Sequence, residues 1–285
     1  MTDAEFTRFS RFIHDQCGIT LPPAKKAMLA SRLQKRLRAL GLTSYAQYYD
    51  YVFRPPGNPD ECTKMIDAVT TNRTEFFREP HHFEYLRSQA LPSLLKHRRP
   101  GTGQTIRLWS AGCSSGEEPY SLAITMAAFI SERPGLEFSI LATDLSATMI
   151  AMGQRAVYGE EKIRSVPFQL RKNYVMRGVG SQKGYYRIVP ELRRRVQFKR
   201  LNLMDPNLDT GSVMDIVFCR NVIIYFDRET QQRLFKKIFD RLASGGFLFI
   251  GHAETLDGIN NNFVRVAPTI YRKPAERSAV TPHRL

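Results

Sequence analysis

A chain of 285 residues is long enough for two domains at roughly 150 residues each, which excludes a peptide or a fibre. Its 42% hydrophobic and 24% charged residues are those of a folded globular protein, and mostly apolar stretches such as Leu122 to Ile130 fall well short of the ~20 residues that cross a bilayer. Forty-two Lys and Arg against 27 Asp and Glu leave a net charge of +15 on the surface, so the expected partner is acidic: nucleic acid, an anionic membrane surface, an acidic cofactor or a Glu-rich protein.

The opening residues Met1-Thr2-Asp3-Ala4-Glu5 lack the basic-then-apolar pattern of a signal peptide, so a cytoplasmic protein is expected. Cys17, Cys62, Cys113 and Cys219 are scattered, with no C-x-x-C pair and no histidine at ligand spacing, which argues against a disulfide framework and against a metal site.

Residues 3 to 70 read as helices, starting with Phe6, Phe9 and Ile13 at helical spacing. The next helix is expected from about Pro23 to Leu40. Its Leu29, Leu33, Leu37 and Leu40 form one apolar stripe, and Gly41 is a C-terminal stop. Lys25, Arg32, Lys35 and Arg36 fall on the side next to that stripe, and no acidic residue lies between Asp15 and Asp50, so this face is expected to be basic and locally unneutralised. After a loop over Pro55-Pro56-Gly57-Asn58-Pro59-Asp60, the residues Cys62, Met65, Ile66 and Val69 restore helical spacing.

From about residue 104 short β-rich runs alternate with helices, the pattern of a parallel α/β sheet. The expected strands are Ile106 to Ser110, Phe138 to Thr143, Val196 to Leu201, Asp215 to Cys219 and Phe247 to Ile250. Helices are expected from about Glu118 and over Glu229 to Leu242, the latter followed by a turn at Ser244-Gly245-Gly246. A closing hairpin of Phe263 to Val266 and Thr269 to Arg272 would add antiparallel strands at one edge, which suits methyltransferases better than dehydrogenases. Gly178 to Val189 reads as a small inserted hairpin, and the residues from Ala275 onward as a frayed tail.

The turn Gly112-Cys113-Ser114-Ser115-Gly116 lies between strand and helix, where glycines let a ligand approach backbone N–H groups and a helix N-terminus. Asp144, at the end of the next strand, stands where a carboxylate can accept hydrogen bonds from ribose hydroxyls. Together they suggest a nucleoside-bearing cofactor. The same five residues also match G-x-S-x-G, the nucleophile elbow of serine esterases, with Ser114 as nucleophile and Asp215 and His252 in the right chain order. Against that stand the turn's position after the first strand and the Glu117-Glu118 pair, whose negative charge is wrong beside a developing oxyanion.

Between the two regions lies Thr70-Thr71-Asn72-Arg73-Thr74-Glu75-Phe76-Phe77-Arg78-Glu79. With this cluster the sequence resembles the chemotaxis receptor glutamate methyltransferases, the CheR family. The match continues through Ser114 to Ser121, Asn202-Leu203, Phe218 to Phe226 and Gly251-His252-Ala253-Glu254, with Ala253 where a serine is common, and covers about residues 15 to 272.

The resemblance implies an all-α N-terminal domain over residues 1–70. It also implies a class I S-adenosylmethionine-dependent methyltransferase domain of Rossmann-like α/β fold over 71–285, with an inserted antiparallel β-subdomain at about 176–195. Asn72, Thr74 and Arg78 would meet the methionine end of the cofactor, Arg78 through its carboxylate. Glu118 would serve the amino end, with Glu117 not distinguished by counting. Asp144 would hold the ribose, Asn202 and Leu203 the adenine, and Arg220 and Asn221 would line the cleft. The reaction implied is methyl transfer to glutamate carboxylates of chemotaxis receptors, yielding methyl esters and S-adenosylhomocysteine, with Arg78 and Tyr225 orienting the acceptor rather than acting as acid or base. Cys219 is read as strand packing.

By matched position Lys25, Arg32 and Arg38 would face the Glu-rich receptor helix, and the inserted hairpin could dock a C-terminal receptor peptide as an added strand. Neither nucleic acid nor membrane insertion is implied, only recruitment to membrane receptor arrays. A nucleic-acid methyltransferase would share the fold and the charge, but amino-methylating enzymes of that kind commonly carry Pro-Pro and an aromatic after the Asn or Asp. Here the segment is Asn221-Val222-Ile223-Ile224-Tyr225, and no Pro-Cys nucleophile is present.

Overall fold

The computed structural model describes residues 1–70, 72–97, 105–259 and 261–275. Thr71 and the tail expected to fray beyond Ala275 lie outside the described residues.

Four helices open the chain: α1 (Asp3–Cys17), α2 (Lys26–Leu40), α3 (Tyr45–Phe53) and α4 (Pro59–Val69). Thr2 and Glu5 close a reciprocal capping box on α1, and Gly18 and Gly41 end α1 and α2 in the left-handed conformation. Phe9, Ile13, Leu29, Leu33, Leu37, Tyr48, Met65 and Val69 are buried together in one core, whereas Leu40, expected in the same stripe, is half-buried.

Two further helices, α5 (Pro80–Tyr85) and α6 (Leu91–His97), flank a π-helical turn and lead into a seven-stranded sheet. In chain order its strands are β1 (Thr105–Ala111), β2 (Glu137–Asp144), β6 (Val196–Arg200), β7 (Met214–Cys219), β8 (Leu242–Ile250), β9 (Val264–Ala267) and β10 (Ile270–Arg272). They lie in the order β6-β2-β1-β7-β8-β10-β9, parallel from β6 to β8, with the β9–β10 hairpin antiparallel at one edge. Helices α7 (Glu117–Ile130), α8 (Ala147–Arg155) and α12 (Arg228–Arg241) make the crossovers. Successive residues feed opposite cores: Ile106 and Leu108 pack on one side of the sheet, Trp109 and Ala111 on the other. The expected Ser244-Gly245-Gly246 turn is instead part of β8, whose pairing shifts register opposite Met214 and Ile216, with Gly245 at φ +76°.

The inserted sheet is larger than a hairpin. β4 (Val175–Arg177) and β5 (Tyr185–Ile188) are joined by β3 (Val157–Gly159), in the order β3-β5-β4, so it reaches back well before residue 176. Three residues ending in a glycine are too short for strand periodicity to register. Short helices α9 (Glu160–Ile163) and α10 (Phe168–Tyr174) join β3 to β4, and α11 (Pro190–Arg193) leads from β5 back to β6 of the main sheet. Among the described residues, no helix is long and apolar enough to cross a membrane.

Candidate active site

A cavity of about 480 Å³ opens at the carboxyl ends of the parallel strands. Both halves of the chain build its walls. From the helical half come Ile19 to Pro22, Lys25, Met28, Val69 and Thr70; from the sheet half come Gly112, Ser114, Glu118, Asp144, Leu145, Leu201 to Leu203, Arg220 to Val222 and Ile224 to Phe226; Asn72 to Glu75 and Arg78 lie between. The halves are stitched at this point by an antiparallel bridge between Ile19 and Phe226 and by a 2.8 Å hydrogen bond from Thr20 N to Tyr225 O.

The turn after β1 is pinned by hydrogen bonds to two neighbouring segments. Ser114 takes φ +48°, its N–H donates to Asp144 Oδ2 at 2.8 Å, and its hydroxyl donates to Asn72 O at 3.0 Å. Asp144 Oδ1 accepts from Ser146 N at 2.9 Å. Burial raises the Asp144 carboxyl, and these two N–H groups pull it back. Gly112 has φ +85°, and a Cβ there would meet Val222 Cγ2 at 2.4 Å, so only glycine suits this wall.

The adjacent wall carries charge. Glu118 Oε1 accepts from Ser110 Oγ at 2.7 Å, and Oε2 lies 3.2 Å from Arg220 Nη1. Burial raises the Glu118 carboxyl, with Arg220 and Ser110 opposing. Of the two adjacent glutamates, Glu117 is fully buried and bonded to Ser115 Oγ and Lys162 Nζ, while Glu118 lines the cavity. Arg78 Nη1 donates to Arg73 O at 3.2 Å. Asn202 Nδ2 donates to Gln16 O at 2.6 Å and its Oδ1 accepts from Met204 N at 3.0 Å, which fixes the loop carrying Leu203 against the cavity.

Of the residues singled out in the sequence, Asn72, Thr74, Arg78, Glu118, Asp144, Asn202, Leu203, Arg220, Asn221, Tyr225 and Lys25 converge on this one cavity. Arg32 and Arg38 do not line it. The basic face of α2 is also less free than its sequence suggests. Arg36 makes a bidentate pair with Glu61 at 2.8 and 2.7 Å, Lys26 pairs with Asp3 at 2.6 Å, and Arg32 Nη1 donates to Thr70 O at 3.1 Å as well as to Val69 O. The neutralising carboxylates come from other helices, where counting along α2 could not find them. Lys25, Lys35 and Arg38 remain exposed.

The esterase reading fails on geometry. The Ser114 hydroxyl is spent on Asn72 O, and Asp215 sits at the start of β7, away from the cleft, accepting from Arg107 N at 2.8 Å. Sequence reasoning gave no role to Glu254, a buried carboxylate that accepts from the N–H groups of Asn221 and Ile223 at 2.9 and 3.0 Å and so holds the segment carrying Tyr225. The apolar roof of Ile19 to Pro22, Val222 and Ile224 also escaped it, because apolar residues in loops carry no periodic signal. Cys219 is buried in β7, and burial raises its thiol well above the ordinary range. Among the described residues no group of three or more His, Cys, Asp or Glu side chains is placed to hold a metal ion.

A five-stranded parallel sheet closed by an antiparallel hairpin, with a carboxylate ending its second strand beside a glycine turn, defines a class I, Rossmann-like methyltransferase. Its donor set fits S-adenosylmethionine: carboxylates for hydroxyl and ammonium groups, a guanidinium for a carboxylate, and Leu145, Leu203 and Val222 for an aromatic base. Residues 72–272 match the family described as "CheR methyltransferase, SAM binding domain", and residues 4–70 match "CheR methyltransferase, all-alpha domain". The chain belongs to the CheR methyltransferase family. It is 35% identical to the chemotaxis protein methyltransferase of Borreliella burgdorferi, covering 96% of this chain and 95% of that protein. Identity is 36% with the chemotaxis protein methyltransferase of Escherichia coli, over 95% and 91% of the two chains. With chemotaxis protein methyltransferase 2 of Pseudomonas aeruginosa it is 37%, over 95% and 93%.

Proposed function

We propose that this protein methylates glutamate side chains of chemotaxis receptors. The observation that carries the reading is the shared cavity, whose S-adenosylmethionine-type lining also includes Tyr225 and the exposed Ile224 and Lys25, the last directly before helix α2. An exposed cation at the cavity suits a Glu-rich receptor segment.

When bound, S-adenosylmethionine supplies a methyl group as an electrophile. Asp144 would hold its ribose, Asn202 and Leu203 its adenine, Glu118 its amino end, and Arg78 with Asn72 and Thr74 its carboxylate end. Arg220 and Asn221 would wall the cleft. A glutamate acceptor has an ordinary pKa of about 4.3 and is already ionised at neutral pH, so no general base is required. Tyr225 and Arg78 would align it, and the roof from Ile19 to Pro22 would exclude water, which favours a step that brings opposite charges together.

Lys25, Arg32 and Arg38 would read the receptor helix, and the inserted β-sheet offers an edge for a C-terminal receptor peptide. The protein would work in the cytoplasm at membrane receptor arrays. The test is to incubate it with methyl-labelled S-adenosylmethionine and either receptor-containing membranes or RNA. Base-labile label on the receptor is expected; base-stable label on receptor, or label on RNA, overturns the reading.

A further inference from the structure

Arg220 is buried, its side chain 1% exposed, between two carboxylates. Nη1 lies 3.2 Å from Glu118 Oε2, which faces the cavity, and Nη2 lies 3.1 Å from Glu79 Oε2, which does not line it. Nη2 also donates to the Arg78 carbonyl. Glu79 is anchored from behind: Oε1 accepts from His252 N at 3.1 Å, with Asn221 Nδ2 at 3.5 Å. Its backbone adopts φ +58°, a region disfavoured for a side chain of this size.

Glu79 has one effective counter-ion. The neighbouring His82, 3.4 Å away, is pushed down to about 3 by burial and by Arg220, so it is uncharged at neutral pH. Burial alone would raise the Glu79 carboxyl; Arg220 reverses this and holds it below the ordinary range. With both carboxylates ionised, the Glu79–Arg220–Glu118 group carries one net negative charge. Glu118 uses one contact to Ser110 and one to Arg220, and a carboxylate can accept about four hydrogen bonds, so it keeps capacity toward the cleft.

We propose that Glu79 is a positioning residue for the cofactor's amino end. By pairing with Nη2, which also donates to the Arg78 carbonyl, it helps keep that guanidinium from closing bidentately on Glu118 and leaves the Glu79–Arg220–Glu118 group with one net negative charge, matched to an ammonium group. Without Glu79, Arg220 and Glu118 neutralise each other and the wall loses its attraction for a cation. This rests on the reading of Glu118 as the ammonium acceptor.

The test compares two ligands by calorimetry on the full chain: S-adenosylhomocysteine, which carries the amino group, and 5′-methylthioadenosine, which lacks the whole amino-acid end. Glu79→Gln is expected to weaken S-adenosylhomocysteine about tenfold while methylthioadenosine stays within about twofold. Because the ratio of affinities is read, a general loosening of the site, which weakens both ligands equally, overturns the proposal, as does no change in either. Glu118→Gln is expected to show the same selectivity. If it does and Glu79→Gln does not, the positioning role alone fails; if Glu118→Gln leaves the wild-type ratio, the Glu118 reading fails.

Discussion

His14 Nε2 lies 2.7 Å from Asp227 Oδ2, and this contact ties the last turn of α1 to the N-cap of α12, since Asp227 Oδ1 also accepts from Thr230 N. Close by, the Ile19–Phe226 bridge fastens the roof of the cleft. The hydrogen bond to Asp227 raises the His14 pKa above 6.5, while the Thr230 N–H and His14 hold the Asp227 carboxyl down at about 2. The histidine's contribution is therefore fully present below pH 6.5 and is lost as pH rises through its raised value; the aspartate's is present above its unfolded pKa of about 3.9 and lost toward pH 2. Thermal melting followed from pH 5 to 9 should show a decline through the neutral range that Glu or Asp titration cannot cause. In His14→Gln this decline should shrink; an unchanged profile would refute the role. The pair is partly exposed, so the effect should be small.

The cations of α2 should separate into two kinds. Arg38→Glu reverses an exposed charge outside the cavity and should raise the receptor KM severalfold while calorimetric affinity for S-adenosylhomocysteine stays unchanged. Arg36→Glu should instead damage the fold, because Glu61 is 2% exposed and also holds Tyr48 OH at 3.0 Å. Leaving a buried carboxylate without its guanidinium costs about 3–5 kcal/mol, readable as a shifted denaturation midpoint. Equal stability of the Arg36 and Arg38 variants would count against this division.

The difference between those two arginines marks how far the sequence could be read. Strands such as Thr105–Ala111 and Glu137–Asp144 were legible because each is a short run rich in β-branched and large apolar residues between turn or helix signals, and Asp144 was legible because it ends one. The N-terminal helices were legible from their stripe. What periodicity does not encode is which element comes to lie beside which. Glu61 against Arg36, Glu79 against Arg220, Glu254 beneath Asn221 and Thr20 against Tyr225 are all contacts across long chain separations, and each alters the meaning of a residue visible beforehand. The strand Val157–Gly159 was missed because its pairing with Tyr185–Arg187, not its own composition, makes it a strand.

Asp144 gives the sharpest test of the cofactor cleft. Both of its oxygens are already oriented by backbone N–H groups, so the lone pairs left over point where a diol can use them. Hydrogen bonds to a charged acceptor contribute about 1.5–3 kcal/mol each, so Asp144→Ala should weaken S-adenosylhomocysteine by about 10- to 100-fold or more. Retained affinity within twofold would remove Asp144 from the site.

Tyr225 decides between alignment and proton transfer. It ends the short 3-10 turn Ile223–Tyr225, held by Glu254 from below and by Thr20 N at its carbonyl, so its ring is presented at the cleft from a fixed backbone. An aligning hydroxyl loses one hydrogen bond in Tyr225→Phe, and kcat should fall by roughly tenfold, in keeping with about 1–1.5 kcal/mol, with cofactor affinity preserved. A general base would leave a different mark: an acid limb in kcat well above the pKa of a free glutamate, absent from the variant. Single-turnover rates of wild type and Tyr225→Phe between pH 6 and 9 should therefore run parallel. A wild-type rate that climbs with pH while the variant's stays flat would overturn alignment and make Tyr225 a proton acceptor.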